Sequence, residues 1–342
     1  MLMNIYKKRW KNVKERLDGD VFIAKNYGNI KYLSYADIPD EIFYFLIMPK
    51  DGQPIAVTSA LDENRARGSA IKDIRTIGDL PYVQTYEKKY NKVLKRILKE
   101  IGAKKIVSDS KIGVKSKIKD IVRDMRIQKE DEEIRMLRKA TDIVKKVADE
   151  LDDIVRVGRS EIEIAEELNR IMIKHGSRMI WPQIISAGKN SAYPHHYPTD
   201  KIIKKGEVVV CDFGAYYKGY FSDVTRTILN GDKKMKKIYD IVLESHEKAI
   251  KSVAVNEKFK NIDMVARNVI QNHNLGKYFV HSLGHGLGLE IHESPSISPK
   301  SKDIVRKNMV FTIEPGIYIP GKGGVRIEDD ILVGNDVKIL TR

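Results

Sequence analysis

Apolar positions in the first 18 residues recur at helical spacing (Ile5, Trp10, Val13, Leu17), and Gly19 ends the pattern. Short β-like runs follow at Val21–Ala24, Phe43–Met48 and Pro54–Thr58, with Lys50-Asp51-Gly52 as a hairpin turn between the last two. Tyr86–Ile101 and Ser116–Met125 are predicted as basic helices around a strand at Lys105–Ser108. Strands alternating with helices predict an α/β layer up to residue 127. The charged run from Gln128 to Glu133 then opens a long helix to about Val155, and Ser160-Glu161-Ile162-Glu163 caps the next one. After Gly176 strand patterns dominate, at 183–187, 207–217, 220–229, 308–319 and 324–334, with helices at about 233–252 and 260–273. The expected fold class is therefore α/β (α+β), with one domain at 1–127 and a second at 128–342.

A chain of 342 residues exceeds what one hydrophobic core usually organises, which agrees with two domains. Hydrophobic residues at 42% and charged residues at 32% exclude a disordered or fibrous chain. No apolar run approaches the roughly 18–20 residues that span a bilayer, so no membrane partner is expected. The basic, amphipathic start lacks the apolar core and cleavage site of a secretory signal. Cys211 is the only cysteine, which rules out an internal disulfide and suits a reducing, cytoplasmic compartment. The net charge of +15 admits nucleic-acid binding. The lysines, however, are spread through amphipathic segments and are not interleaved with aromatics. The favoured reading is the Lys/Glu-rich surface of a heat-adapted protein, with no nucleic-acid partner.

Candidate chemistry begins at Gly206–Leu229. Two β-like runs, Glu207–Tyr217 and Tyr220–Leu229, meet at Lys218-Gly219, a two-residue turn in which Gly supplies positive φ. In that register Asp212 faces Thr225 and lies diagonal to Asp223 on the same side of the sheet, while Cys211 points to the opposite face as an inert core residue. Two carboxylates on one face in an apolar context repel each other unless a cation lies between them. The competing reading makes one of them a solvated edge residue or a partner of Arg226. A second hairpin, Val310–Ile319 and Gly324–Val333 around Pro320-Gly321-Lys322-Gly323, sets Glu314 and Glu328 symmetrically about Gly321. Asp329 and Asp330 are expected at the solvent-ward end of that strand as ordinary surface acids.

Between the hairpins, the run from His281 to Glu293 holds His281, His285 and His292 among Gly284, Gly286 and Gly288. The glycines disfavour a helix and let backbone approach a ligand. Four carboxylates and the neutral nitrogen of His285 balance two divalent cations. An oxygen-rich shell with one imidazole suits Mn²⁺, Fe²⁺ or Co²⁺ better than a structural zinc site. Two such metals, about 3.5–4 Å apart, acidify a shared water and clamp a tetrahedral intermediate, so amide hydrolysis is the natural chemistry.

These stretches resemble the Xaa-Pro peptidase family of pita-bread fold, which includes prolidases, aminopeptidases P and the related methionine aminopeptidases. The likeness is carried by Cys211-Asp212-Phe213-Gly214, Ser222-Asp223-Val224-Thr225-Arg226-Thr227, the His281–Glu293 run, Thr312-Ile313-Glu314-Pro315-Gly316-Ile317-Tyr318 and Gly324-Val325-Arg326-Ile327-Glu328-Asp329. Gly188-Lys189-Asn190-Ser191-Ala192-Tyr193-Pro194-His195 resembles a further family motif, and residues 1–127 look like the family's N-terminal domain, which methionine aminopeptidases usually lack.

The resemblance implies two divalent metal ions per subunit, Mn²⁺ or Co²⁺ first and Fe²⁺ or Zn²⁺ as alternatives. Asp212 would chelate one through both oxygens, Asp223 and Glu328 would bridge, and His285 and Glu314 would complete the shells. Glu314 is also the implied general base toward the bridging water. His195 and His292 would steady the substrate carbonyl and its oxyanion, and His281 and Arg326 would belong to the substrate pocket. Tyr318 and Trp181 could line a proline pocket, though aromatics beside strands more often belong to the core; His196 is expected to point away. The implied activity is hydrolysis of the bond before proline in Xaa-Pro dipeptides, with an Xaa-Pro aminopeptidase as the near alternative. Two further alternatives are a metal-free relative that binds nucleic acid or ribosomes and a metal-free amidinohydrolase like creatinase. Both would be expected to lack metal ligands, and all five positions are filled here. A small peptide substrate and a homodimer are the implied partners.

Overall fold

The computed structural model describes residues 2–34, 42–79, 81–178 and 183–342, which form two compact units, Met1–Arg126 and Ile127–Arg342. The first contains α1 (Leu2–Arg16), β1 (Val21–Ala24), α2 (Tyr27–Ser34), β2 (Phe43–Pro49), β3 (Ile55–Ser59), α3 (Glu63–Ala66), β4 (Asp73–Ile77), α4 (Tyr90–Glu100), β5 (Ile106–Ser108), β6 (Lys117–Ile118) and all but the last residue of α5 (Arg123–Ile127). Its mixed six-stranded sheet runs β4-β3-β2-β1-β5-β6. Val21, Ile23, Phe45, Ile47 and Val57 alternate onto one face, where Val93, Leu94, Ile97 and Leu98 of α4 cover them. The basic helix expected over Ser116–Met125 is absent. Lys119 donates its backbone N–H to Ser108 O and extends the sheet, and Asp120 accepts from the backbone of Val122 and Arg123 to start α5 instead.

The second unit contains α6 (Asp131–Asp149), α7 (Leu151–Ile154), α8 (Glu161–Lys174), β7 (Ile184–Ala187), β8 (Val209–Tyr217), β9 (Tyr220–Ile228), α9 (Lys233–Lys251), α10 (Phe259–Asn272), β10 (Gly284–Gly286), β11 (Glu293–Ile297), β12 (Val310–Ile313), β13 (Gly316–Ile319), β14 (Gly323–Arg326), β15 (Asp329–Val333) and β16 (Val337–Ile339). Capping boxes start α6 (Glu130 with Glu133) and α8 (Ser160 with Glu163). The single helix expected to reach Val155 breaks at Glu150. Antiparallel sheets run β7-β8-β9, β11-β10-β12-β15-β16 and β13-β14.

Side-chain alternation on these strands decides where the site lies. Val209, Cys211, Phe213 and Ala215 of β8 and Val224 of β9 pack against Val144, Val147, Leu168 and Ile171 of α6 and α8. A second core joins Val242, Ala249, Phe259 and Ile262 of α9 and α10 to Phe311, Ile313 and Ile331. Each fully buried side chain of this kind contributes about 1.5–3 kcal/mol relative to exposure. Because alternate residues face opposite ways, the helix-covered faces leave Asp212, Asp223 and Thr225 on the other side of their strands.

Candidate metal centre and active site

The first carboxylate hairpin has the expected register: Asp212 faces Thr225 and Gly214 faces Asp223. The turn takes positive φ at both Lys218 (47°) and Gly219 (98°), the backbone of a tight two-residue hairpin. The second hairpin is interrupted. Val310 faces Leu332 and Gly316 faces Arg326, one register centred on Gly321, but pairing lapses at Glu314–Pro315 and Ile327–Glu328. In the gap, Glu314 donates its backbone N–H to Leu283 O (2.8 Å) and Glu328 donates to Thr225 O (3.1 Å). Both glutamates thus sit where the hairpin opens to bond its neighbours. The glycines of the histidine run are required by close approach. A Cβ on Gly284 would stand 2.0 Å from Thr312 O, and one on Gly286 would stand 2.2 Å from Ser294 O.

Asp212, Asp223, His285, Glu314 and Glu328 line one cavity of about 480 Å³, together with His195, His281, His292 and Arg326. Within it, Asp223, His285 and Glu328 each offer a ligand atom, all within 4.8 Å of one another. His285 Nε2 lies 3.4 Å from Glu314 Oε1 and 4.0 Å from Asp223 Oδ2. Its Nδ1 lies 3.1 Å from Gly286 O, which fixes the proton there and leaves the Nε2 lone pair directed at the carboxylates. Burial, with His292 beside it, pushes the His285 imidazolium down to about 4, so the ring is neutral at pH 7.

Burial also drives the carboxylates the other way. Asp223 is held well above its usual range by burial and then by Asp212, Asp330 and Glu314. Glu328 is raised likewise by burial and by Asp223 and Glu314. Glu314 is pushed up to about 8 by burial and the charge of Asp212, against the opposing pull of Arg326. Asp223 Oδ1 is buried without a hydrogen-bond partner. Clustered, underneutralised oxygens beside a neutral imidazole lone pair form a donor set that fits divalent cations.

One guanidinium lies in the cavity wall. Arg326 donates from Nη2 to Asp212 Oδ2 (2.5 Å), from Nη1 to Tyr318 Oη (2.7 Å) and from Nε to Thr225 Oγ1 (2.9 Å). His281 continues the chain, with Nε2 3.0 Å from Tyr318 Oη and Nδ1 2.7 Å from Ser282 O. Arg326 and Tyr318 therefore orient Asp212 and His281 by hydrogen bonds as well as lining the cavity. His195 lies at its exposed edge. His292 is likewise exposed, and its ring centroid is 4.3 Å from that of His285. Trp181 lies outside the described residues.

Two corrections follow. Asp329 and Asp330 are not surface acids: both are fully buried, on β15, an interior strand flanked by β12 and β16. Asp329 accepts from Arg226 (2.9 Å), Arg342 (2.8 Å) and Thr341 Oγ1 (2.7 Å), which makes its burial tolerable. Asp330 accepts from Ser222 Oγ (2.7 Å) and the Asp223 backbone (3.3 Å), and burial lifts its carboxyl to about 8. Thr225 was overlooked as a site residue; its hydroxyl donates to Glu328 Oε2 (2.7 Å) while accepting from Arg326. The register that set it opposite Asp212 was the available signal.

Comparison with known proteins accounts for this arrangement. Residues 135–335 match the model of metallopeptidase family M24. A Xaa-Pro dipeptidase of Pyrococcus horikoshii is 36% identical, over 99% of this chain and 98% of its own. The solved prolidase of Thermococcus sibiricus superposes with a TM-score of 0.88 at 32% identity, covering 98% of this chain and 97% of its own. An X-Pro aminopeptidase from Thermotoga maritima gives 0.78 at 29%, covering 96% and 97%. The pita-bread architecture with a small N-terminal domain, expected from the motifs, is that of these structural relatives. With its family match, its full-length relatives and its carboxylate–histidine cavity, the chain belongs to metallopeptidase family M24.

Proposed function

We propose that the protein is a two-metal Xaa-Pro dipeptidase in which Asp212, Asp223, His285, Glu314 and Glu328 would hold two divalent cations, Mn²⁺ or Co²⁺ first. The observation that carries this reading is the single cavity where all five donors meet, with more buried carboxylate than Arg326 can neutralise. Cations bound there supply Lewis-acid polarisation of water and of the scissile carbonyl. Glu314 accepts the proton of the attacking water on a carboxylate oxygen and returns it to the departing prolyl nitrogen. His195 and His292 donate hydrogen bonds to the carbonyl oxygen as it gains charge. His281 and Arg326, joined through Tyr318, contact the substrate side of the pocket and keep Asp212 in place. Ile184, Pro194 and Ile291 give the cavity an apolar wall on which a proline ring can rest. A Xaa-Pro bond has no N–H, so a site that polarises the carbonyl without needing that hydrogen suits it.

The domain division at residues 1–127 and 128–342 belongs to the same reading. The N-terminal domain serves assembly of a homodimer, for which closed two-fold symmetry is the commonest arrangement, and the enzyme works in the cytoplasm. Among the described residues no helix is long and apolar enough to cross a membrane.

The test is to strip the protein with chelator, reload it with Mn²⁺ or Co²⁺, and assay Xaa-Pro against Xaa-Pro-Xaa peptides. Metal-dependent cleavage confined to the dipeptides is expected; preference for the longer peptides would make it an aminopeptidase. His195→Ala and His292→Ala should retain full metal stoichiometry while kcat falls by about 10²-fold. Loss of a metal from either variant would overturn the division between ligands and substrate groups. Light scattering of the full chain checks the dimer.

A further inference from the structure

Glu161, the first residue of α8, is fully buried, yet its side chain does not cap its own helix; Ser160 and Glu163 do that for each other. Its carboxylate turns to the segment that follows β7. Oε1 accepts from the Ala187 backbone (2.7 Å) and Asn190 Nδ2 (3.0 Å). Oε2 lies 2.8 Å from His196 Nε2 and accepts from the Thr199 backbone (3.0 Å) and Thr199 Oγ1 (2.7 Å). Two backbone bonds, Glu161 N to Lys201 O and Ile162 N to Thr199 O, tie the same stretch to the helix start. Burial opposes the charge, but the donors from His196, Ala187, Thr199 and Asn190 outweigh it and hold the carboxyl below its usual range.

Every donor to this carboxylate lies in residues 187–199, the segment that brings Pro194 and His195 to the cavity. Among the described residues, the other backbone–backbone bonds on its far half run from Ile162 N to Thr199 O and, within a turn, from His196 N to Tyr193 O. Tyr193 is 66% exposed and Tyr197 74%, so apolar burial does not hold these flanking residues. Ser191, through its bond from Gly324 N, ties only the near half. The adjacent histidines divide the work: His195 lines the cavity, and His196 turns to Glu161.

We infer that Glu161 is a positioning residue for His195, holding the 187–199 segment through His196 and the backbone of Ala187 and Thr199 so that the His195 imidazole is delivered to the substrate carbonyl. The inference rests on the role proposed above for His195. A shift of about 1 Å in a positioned group can lower a rate by about 10²-fold, which sets the expected scale.

The test uses the full-length, metal-loaded enzyme and a Xaa-Pro dipeptide. Glu161→Gln and His196→Ala should each lower kcat by about 10- to 100-fold with metal content unchanged and KM moved less. His196→Gln, which keeps a donor toward Glu161, should recover most of that loss. In a His195→Ala background neither substitution should lower kcat further, because the group they position is gone; a merely structural role would multiply the two losses. Full multiplication, or kcat within about threefold of wild type for His196→Ala, overturns the inference. If Glu161→Gln does not fold, the His196 pair decides the matter alone. Wild-type kcat for His195→Ala alone would instead sink the role of His195 itself, a distinguishable failure.

Discussion

Glu328 and Asp329 are consecutive and both buried, and their carboxylates meet opposite surroundings. Asp329 turns to Arg226, Arg342 and Thr341, so its charge is met by the protein's own cations. Glu328 turns into the cavity beside Asp223, Glu314 and Asp212, where the one guanidinium in the wall is engaged by Asp212 and Tyr318. The two environments differ by the sidedness of one peptide step, since successive strand residues face opposite ways. Buried charge is expensive unless paired. A group paired within the protein stabilises the fold, and a group left short of positive charge is prepared for cations from outside. Burial alone does not separate structural from functional acids; the count of partners does.

The largest expected departure comes from removing an acid on the underneutralised side. Glu314→Gln should lower kcat by about 10²–10⁴ and weaken metal binding, read by steady-state kinetics and metal analysis. Activity within about tenfold of wild type would remove Glu314 from proton transfer. On the other side, Asp329→Ala should lower folding stability by about 1.5–3 kcal/mol, because Arg226, Arg342 and Thr341 lose the charged acceptor they share while the partly exposed arginines turn to solvent. Chemical denaturation measures it, and a change below about 1 kcal/mol would erase the contrast.

Acidity separates the groups more gently. In the folded metal-free chain Glu314 and Asp330 each lie at about 8, against usual values of 4.5 and 3.8. The folded state then binds more protons than the unfolded between those limits, so metal-free stability should fall as pH rises from about 4 to about 8. Saturating metal should abolish the part due to Glu314. Thermal melts in chelator against melts in Mn²⁺ check this, and a metal-free Tm that rises across the window would contradict it. The smallest change is Ser222→Ala, which removes one donor from Asp330 and should destabilise by about 1 kcal/mol without loss of metal.

Much of this was legible in the chain because sidedness in a strand is arithmetic. The Lys218-Gly219 turn fixed the register, and the register put Asp212, Thr225 and Asp223 on one face. The same symmetry about Gly321 brought Glu314 and Glu328 together. Sequence could not show that the second hairpin opens at those two residues, because the lapse is set by hydrogen bonds from Glu314 to Leu283, 31 residues away, and from Glu328 to Thr225, 103 residues away. Asp329 and Asp330 were misread for a related reason: their partners, Arg226, Arg342 and Ser222, are remote in sequence or lie at the last residue. The Ser116–Met125 error was local, since Asp120 offered a helix start that the basic pattern concealed.

The interrupted hairpin has a consequence for how the molecule comes to exist. The bond from Glu328 to Thr225 joins the second hairpin to the sheet of β9, and the bond from Glu314 to Leu283 ties the end of β12 to the start of β10, contacts that no local turn could assemble. The five donors come together only in the folded chain, so cations held there as proposed would favour the native state over the unfolded one. Each tenfold rise in free metal above the dissociation constant then adds about 1.4 kcal/mol per site to the stability of the whole catalytic unit. Metal bound as proposed would thus set how much of the chain is folded, in addition to how much of it is active.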